Sequence, residues 1–558
     1  MNSLIRKVIV GFLVITLFPV TTHSQTGRAT QYTPGDWVNY SNFHYVTSFA
    51  EGDRYIYIGT THGVLRYNQN TRDWEYPYTI GSGLQNDYVL NLLYNDMQQE
   101  LWVVTRGGLD IISLVTDRWK HLNQTRTFLQ SSIRQVQMHE NSESVFVSND
   151  NGETIKIHKF THFISRDVGA RPMKKNAQSV QSSPGKVGHY FLKGAWLINQ
   201  NNNTLQDEYF REYPFTTILR DSRDQIWLGT WGAGFIKADA VTESGEVIRF
   251  GPVSSSVGAI FHTEQQFWFG SALAHYSGPP SINGVPGVSH WNMETNRWEH
   301  FRQQDEYGIS NATIYNIDGD NQGVWFATER GMLHYDSRRK SWKNIKSSAL
   351  SSHQVFDVLV QDTTVWVAAR SGLYMVSNPG GRVLREEVVL PNRMIGVYAL
   401  ARDGDTIYAG TDYGLMALNL STMEPTYYSD QGDTTAQEHF RGLRIYSLAT
   451  RNGKVYFAND FGLFEQDPAK QTIRELPKVG LYARSVPRKI AVDDRSIWVG
   501  FDDGLGQYNP ENREWEFFTT EDGLASNLVY DIIPGTHSIW IATQMGVTRF
   551  RPSKIHLR

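Results

Sequence analysis

Cysteine is absent from the 558 residues. That excludes disulfides, cysteine-bound metals, a thiol nucleophile and a lipid-modified N-terminal cysteine. Excess charge is nearly absent as well. Lys and Arg number 53 against 57 Asp and Glu, a formal charge of -4. Such a balance gives no general attraction to nucleic acid or anionic lipid, and neither is expected as a partner. Beyond residue 24 no apolar run reaches the ~20 residues of a membrane helix. No stretch carries the 3.6-residue period of a long amphipathic helix. No H-E-x-x-H, no G-x-S-x-G and no phosphate-binding glycine loop occurs. No catalytic residue, metal site or cofactor is therefore assigned, and the chain is read as a non-enzyme. One near-match is Asp318-x-Asp320-x-Gln322-Gly323 followed by Glu329, close to a calcium-loop spacing. Gln stands at its fifth position and strand-like sequence flanks it, so it is read as a hairpin turn.

What is present begins with an export signal. Arg6 and Lys7 precede an apolar stretch from Val8 to Val20, and Thr21-Thr22-His23-Ser24 suits a cleavage region. Residues 1–24 are set aside as a signal peptide, and the mature chain is expected to be periplasmic or secreted. An exported chain without disulfides fits a bacterial envelope.

The rest is organised by one recurring unit. It is seen most clearly in Asp493–Thr519: a turn, the apolar strand Ile497-Trp498-Val499-Gly500, a glycine turn at Gly504, a second strand, and a third centred on Trp515. The same unit returns around Trp540 and Trp325, and in variants at Ile58, Trp102, Phe146, Trp196, Trp227, Trp268, Trp366, Tyr408, Tyr456. The pattern is weakest at Phe146 and Trp196. A multi-strand unit every ~40–45 residues is the signature of propeller blades. The small residue after the apolar strand (Gly500, Ala542, Ala327) lets a neighbouring sheet approach. The tryptophans of that strand are read as core packing.

About twelve units are counted, and rings of ~4–8 blades are usual. The expected fold is all-β, with about twelve four-stranded blades in two β-propellers. Residues 25–265 are expected to hold the first group of blades and residues 266–558 the second. A lone strand at 35–40 matches the outer strand that the last unit lacks, so pairing of the two ends is one arrangement. Two consecutive rings, ending in Ile555-His556-Leu557, is the other. Polar residues 166–186 and the Gly- and Pro-rich insert Ser277–Val288 are read as loops.

The set of motifs resembles the two-component regulator propeller repeat. The resemblance is carried by Asp318-Gly319-Asp320, by V-W-F-A-T-x-x-G-x-L around Trp325, and by linkers such as Asp522-Gly523-Leu524-Ala525-Ser526-Asn527. Gly81–Asn86 and Tyr307–Asn311 share that linker shape. The resemblance implies the extracytoplasmic sensor propellers of bacterial hybrid two-component systems, which typically detect glycan fragments. Similar propellers occur in envelope proteins tied to type IX secretion. Neither a kinase nor an immunoglobulin-like module is in this sequence, so what carries over is fold and a binding role.

In a propeller the turns after each second strand share one face with the blade linkers. On that face stand His62, Arg106, Trp231, Arg330, Arg370, Asp412, Tyr413, Asp460, Phe461 and Asp502. Aromatic faces stack on sugar rings, and Arg and Asp bond hydroxyls or a uronate, so these ten are the candidate ligand-binding residues. The plainer reading is solvated turn residues. Three functional readings stand. One is a sensor-type binding protein for an oligosaccharide, or for an envelope protein or separate signalling protein. Another is an interaction scaffold of an envelope or secretion complex. The third is a polysaccharide lyase or hydrolase, for which no constellation speaks.

Overall fold

The computed structural model describes residues 36–126, 128, 136–149, 151, 153–166, 187–272, 285–302, 313–345, 350, 354–385, 395–428 and 443–551. The signal segment, Gly152, the linker 307–311 and Ile555–Leu557 lie outside the described residues, as do 167–186 and 277–284. Two loop boundaries are corrected. Arg166 ends the strand Ile164–Arg166, and the insert stops short of the strand Gly287–Asn292, which pairs with Gln266–Ser271, Ser289 opposite Phe269 and Trp291 opposite Phe267.

The unit around Trp498 shows why these short strands hold together. Ile497–Phe501 is buried along its whole length, whereas the outer strand Glu514–Phe518 is only partly covered. Apolar residues on both faces of Ile497–Phe501 have a sheet on each side to pack against. Trp498 is fully buried and its indole N–H donates to Asp493 Oδ2 at 2.7 Å. Burial of a large apolar side chain stabilises by about 1.5–3 kcal/mol, and this burial is supplied by the neighbouring sheets. A Cβ on Gly500 would lie 2.6 Å from Val529, and one on Gly270 2.5 Å from Ile314. The small residue is thus where the next sheet comes closest. Gly504 and Gly546 turn the hairpins at φ 149° and 136°, a conformation that side-chain-bearing residues avoid.

Ten four-stranded antiparallel sheets and one seven-stranded sheet form among the described residues. The unit around Trp196 does not stand alone. Its hairpin Leu197–Asn199/Thr204–Gln206 joins the long strand Glu212–Arg220, and Phe191–Leu192 runs parallel to Ser244–Ile248. It therefore shares a sheet with the unit around Trp227.

The inner strands define the arrangement. Val257–His262, Ile314–Gly319, Val355–Gln361, Val397–Asp403, Ser447–Arg451, Pro487–Val492 and Val529–Pro534 touch in that order, and the last touches the first. Seven sheets so close on themselves. The final sheet is completed by Trp37–Tyr40, which pairs antiparallel with Gly546–Phe550, Trp37 opposite Phe550. The two rings stack 3.9 Å apart, 12° from parallel. The other inner strands, Gln137–Glu140, Val89–Asn95, Val46–Glu51 and Glu212–Arg220, follow one another in an arc.

Two segments cross between the arc and the closed ring: residues 41–45 and 249–256. Asn42 Nδ2 donates to the Val253 carbonyl at 2.7 Å, and Phe43 packs on Phe250. One apolar cluster runs through this junction, from Phe49 and Trp227 on one side to Trp291 and Trp540 on the other.

Candidate functional site

The mouth of the closed ring is built by a repeated irregularity. Six of its seven inner strands slip register near their start, between Val257 and Ala259, Ile314 and Asn316, Val355 and Asp357, Val397 and Ala399, Pro487 and Lys489, Val529 and Asp531. Each slip leaves one extra residue, a β-bulge, which re-aims its side chain. The extra residues are Gly258, Tyr315, Phe356, Tyr398, Arg488 and Tyr530. Tyr446, just before Ser447–Arg451, takes the corresponding place. All except Gly258 line a cavity of about 820 Å³ at the ring centre.

The collar is a connected aromatic surface on one side. Tyr315 and Phe356 have ring centroids 5.5 Å apart, and Phe356 and Tyr398 4.8 Å apart. The guanidinium of Arg444 lies over the Tyr398 ring at 4.5 Å. Tyr446 donates its hydroxyl to the Pro487 carbonyl at 2.8 Å, which fixes its ring. By contrast, the bulges of the N-terminal arc carry Thr47, Leu90 and Thr216, so no such collar forms there among the described residues.

The next residues inward form a polar tier: Asn316, Asp357, Ser447, Lys489 and Asp531. Three of them tie neighbouring sheets together. Asp357 accepts from Leu400 N at 2.8 Å, Ser447 from Ile490 N at 2.9 Å, and Asp531 from Ile260 N at 2.9 Å. Lys489 Nζ sits 3.0 Å from Asp531 Oδ1. Burial pushes the Asp357 carboxyl up to about 7, only partly offset by Lys489. Asp318 is likewise pushed up by burial, to about 6. Burial alone lowers an ammonium, yet Asp531 and Asp357 together hold the Lys489 proton above its ordinary range. These carboxylates are engaged in holding the ring.

The turns after the second strands meet the collar through a recurrent bond to the residue before each inner strand. Arg370 N donates to the Gln354 carbonyl at 2.9 Å, and Asp412 N to the Gly396 carbonyl at 3.1 Å. Of the sequence-predicted residues, Arg370 and Asp460 line the cavity. Asp412 stands beside it, accepting from the Tyr398 hydroxyl at 2.9 Å and facing Arg444 Nε at 3.4 Å. Asp502 accepts from Val486 N at 3.0 Å and lies 3.9 Å from Arg488. Tyr413 and Phe461 are exposed in the same turns as Asp412 and Asp460. Arg330 is exposed in the Trp325 hairpin and does not line the cavity.

The other three stand apart from this mouth. Arg106 stacks on Tyr88 at 3.6 Å in the N-terminal arc. Trp231 meets Tyr45 edge-on at 5.3 Å, at the junction. His62 is 2% exposed beneath the crossing segment, with Nδ1 2.9 Å from the Thr61 hydroxyl. The Asp318–Glu329 stretch is a hairpin: Asp320 Oδ1 accepts from Gln322 N and Gly323 N, while Asp318 Oδ2 accepts from Val360 N of the next sheet.

Sequence reasoning missed Tyr315, Phe356, Tyr398, Arg444, Tyr446, Arg488 and Tyr530. A signal was there. Ile314-Tyr315-Asn316, Val355-Phe356-Asp357, Val397-Tyr398-Ala399, Ile445-Tyr446-Ser447 and Val529-Tyr530-Asp531 repeat one triplet, aliphatic–aromatic–small or polar, in five of the seven units of the ring.

Radial four-stranded sheets closed by a pairing of the two ends define a β-propeller protein. No family model matches the chain. Among curated proteins, Histidine kinase P4 of Formosa agariphila is 19% identical over 374 residues, 64% of this chain. The chain spans about a quarter of that relative's length, 24%. Among solved structures, PorZ is similar with a TM-score of 0.58 at 12% identity, covering 93% of this chain and 87% of PorZ. PorZ is described as an essential surface component of the type IX secretion system of Porphyromonas gingivalis. The extracellular domain of BT3049, described as a hybrid two-component system of B. thetaiotaomicron, gives 0.43 at 16% identity, over 89% of this chain and 73% of that one. That of BT4673 from the same organism gives 0.43 at 13%, over 90% and 70%. These are the kinds of protein that the repeat resembles, and the PorZ likeness shows the propeller fold.

Proposed function

We propose that this chain is a non-enzymatic, extracytoplasmic binding propeller whose ligand, a glycan fragment, is held at the mouth of the seven-sheet ring. The observation that carries the reading is the aromatic collar around the central cavity of about 820 Å³. Cavities of ~300–1,000 Å³ lined by aromatics with a few polar groups are typical of ligand sites. Tyr and Phe faces suit the C–H faces of a pyranose, and Arg370 and Asp460 suit its hydroxyls. The rings divide as 46–248, and 257–550 together with 37–40, in this reading. No helix among the described residues is long and apolar enough to cross a membrane.

A thermal-shift screen of the protein against neutral and acidic oligosaccharides tests the proposal. A ligand specific to the folded state raises the melting temperature by mass action. The expected result is a shift for at least one saccharide, lost in Tyr398→Ala, with no new reducing ends formed over time. No shift across the panel would refute the glycan reading, and accumulating reducing ends would make the protein an enzyme.

A second reading, a scaffold within an envelope or secretion complex, is favoured by one observation. Phe163, Phe191, Leu197 and Phe210, all in the N-terminal arc, are between 65% and 80% exposed. Large exposed apolar side chains mark protein-interaction surfaces when they are contiguous. Co-purification from envelope extracts that Phe163→Ser and Phe210→Ser abolish would support it.

A further inference from the structure

We infer that the ligand of this mouth carries a carboxylate, held between Arg370 and Arg444 against the Tyr398 ring: a uronic-acid saccharide rather than a neutral one. The inference rests on the binding reading above and adds the charge of the ligand and the residues that read it.

The collar is not evenly charged. On the Phe356–Tyr398 side two guanidiniums, those of Arg370 and Arg444, line the cavity. Arg444 covers Tyr398 at 4.5 Å, and both Arg444 and Arg370 act electrostatically on the Tyr398 hydroxyl. Stacking on an aromatic face orients a guanidinium and leaves its planar fork in the cavity. Arg370 gives one N–H to Gln354 Oε1 at 3.3 Å. Arg444 reaches Asp412 through Nε, at 3.4 Å. Each guanidinium has five N–H donors, so these contacts position the groups without using their capacity.

The nearby acids offset this charge only in part, one carboxylate, Asp412, pairing with Arg444 Nε at 3.4 Å against two guanidiniums. Asp412 is occupied on both oxygens, by the Tyr398 hydroxyl at 2.9 Å and by Gly396 N at 3.0 Å. It buttresses Arg444 from outside, since it does not itself line the cavity. Deeper in, Asp531 is matched by Lys489 at 3.0 Å, and Asp357 accepts from backbone. Asp460 does line the cavity, but on the Tyr446 side, where it acts on that hydroxyl together with Arg488. An acid there repels a second anion and accepts a sugar hydroxyl. The mouth thus has an anion-binding half around Tyr398 and a hydroxyl-binding half around Tyr446. Fork-to-fork pairing with a planar carboxylate is a strong bond that such a half can make.

The test is isothermal titration of the purified protein with trigalacturonate, its fully methyl-esterified form and a sulfated galactan trimer. The ester keeps the sugar and removes the charge. The acid is expected to bind roughly tenfold or more tighter than the ester, the scale of one charge-assisted pair. Arg444→Ala and Arg370→Ala are each expected to remove about that factor for the acid and to weaken the ester much less, so that the acid-over-ester ratio falls toward one. Arg444→Lys should recover only part, because a point charge lacks the fork. Melting temperatures of the variants without ligand identify any that fail to fold; for those, Arg444→Gln is used in place of Ala. Equal binding of acid and ester would overturn the inference while leaving the binding reading intact. Preference for the sulfated trimer would overturn the carboxylate assignment. No binding by any of the three, together with no thermal shift across the wider panel, would overturn both.

Discussion

Acid should loosen the junction between the arc and the closed ring, through three histidines. His44 and His62 are 1% and 2% exposed. His300 completes the group, its ring 5.0 Å from that of His44 and nearly perpendicular to it. The His300 imidazole spans the crossing segment, with Nε2 3.1 Å from the Arg249 carbonyl and Nδ1 3.1 Å from the Ser289 hydroxyl. Burial lowers all three, and for His44 and His300 the charges of Arg249 and Arg302 lower them further. His62 falls from 6.5 to about 4, mainly through burial. The folded state therefore keeps these rings neutral while the unfolded chain takes up protons below 6.5. Their contribution to stability is complete above 6.5 and is lost as pH falls below it, for His62 down to about 4. For His62 alone, a shift of that size corresponds to about 3 kcal/mol.

Opposing groups titrate in the same range. Asp87 and Asp357, both pushed up by burial to about 7, contribute stability that is full below the ordinary carboxylate value and lost as pH rises through 7. Total stability against pH mixes the two signs, so the informative quantity is a difference. Urea unfolding followed by tryptophan fluorescence, for wild type and His62→Gln from pH 7.5 to pH 4, gives that difference. The variant is expected to gain about 3 kcal/mol relative to wild type across this range. Parallel curves for the two proteins would refute the reasoning.

Two further outcomes follow from the closure and the packing. Trp37→Ala removes a 2%-exposed ring stacked on Phe550 and tilted against Phe518 at 5.7 Å. It should cost about 3–5 kcal/mol in urea unfolding and open the last sheet to limited proteolysis near residue 550; a loss below about 1 kcal/mol would mean that this strand does not hold the ring. Gly270→Val places a Cβ 2.5 Å from Ile314 on the adjoining sheet. Overpacking there should lower stability by about 1–3 kcal/mol by the same assay, and an unchanged midpoint would contradict the close approach of the two sheets.

The blades were legible because their cause is local. A fully buried strand must be apolar on both faces, so Trp498, Trp325 and Trp540 stand out, and the glycine turns beside them mark the hairpins. The unit around Trp196 was faint because its strands lean on a neighbour: Leu197–Asn199 and Thr204–Gln206 are completed by Glu212–Arg220 rather than by a repeat of their own. The collar was hidden for a different reason. A β-bulge is a property of register between two strands, and Tyr398 reads as an ordinary strand residue until its slip against Thr411 and Gly410 is seen. His62 shows the converse failure. Its turn has the same form as those of Arg370 and Asp460, but the crossing segment 41–45 covers it. Which turns stay open is decided by contacts between residues hundreds of positions apart, such as Asn42 with Val253.

Hydrogen–deuterium exchange, with and without the saccharide that gives the largest thermal shift, tests the central claim most directly. Ligand-dependent protection is predicted at the collar segments 313–316, 354–357, 395–399, 443–447 and 486–489, and in the turns at Arg370 and Asp460. Protection confined to the N-terminal arc, around Tyr88, Arg106 or the exposed Phe191 and Phe210, would contradict the assignment of the mouth of the closed ring as the binding site.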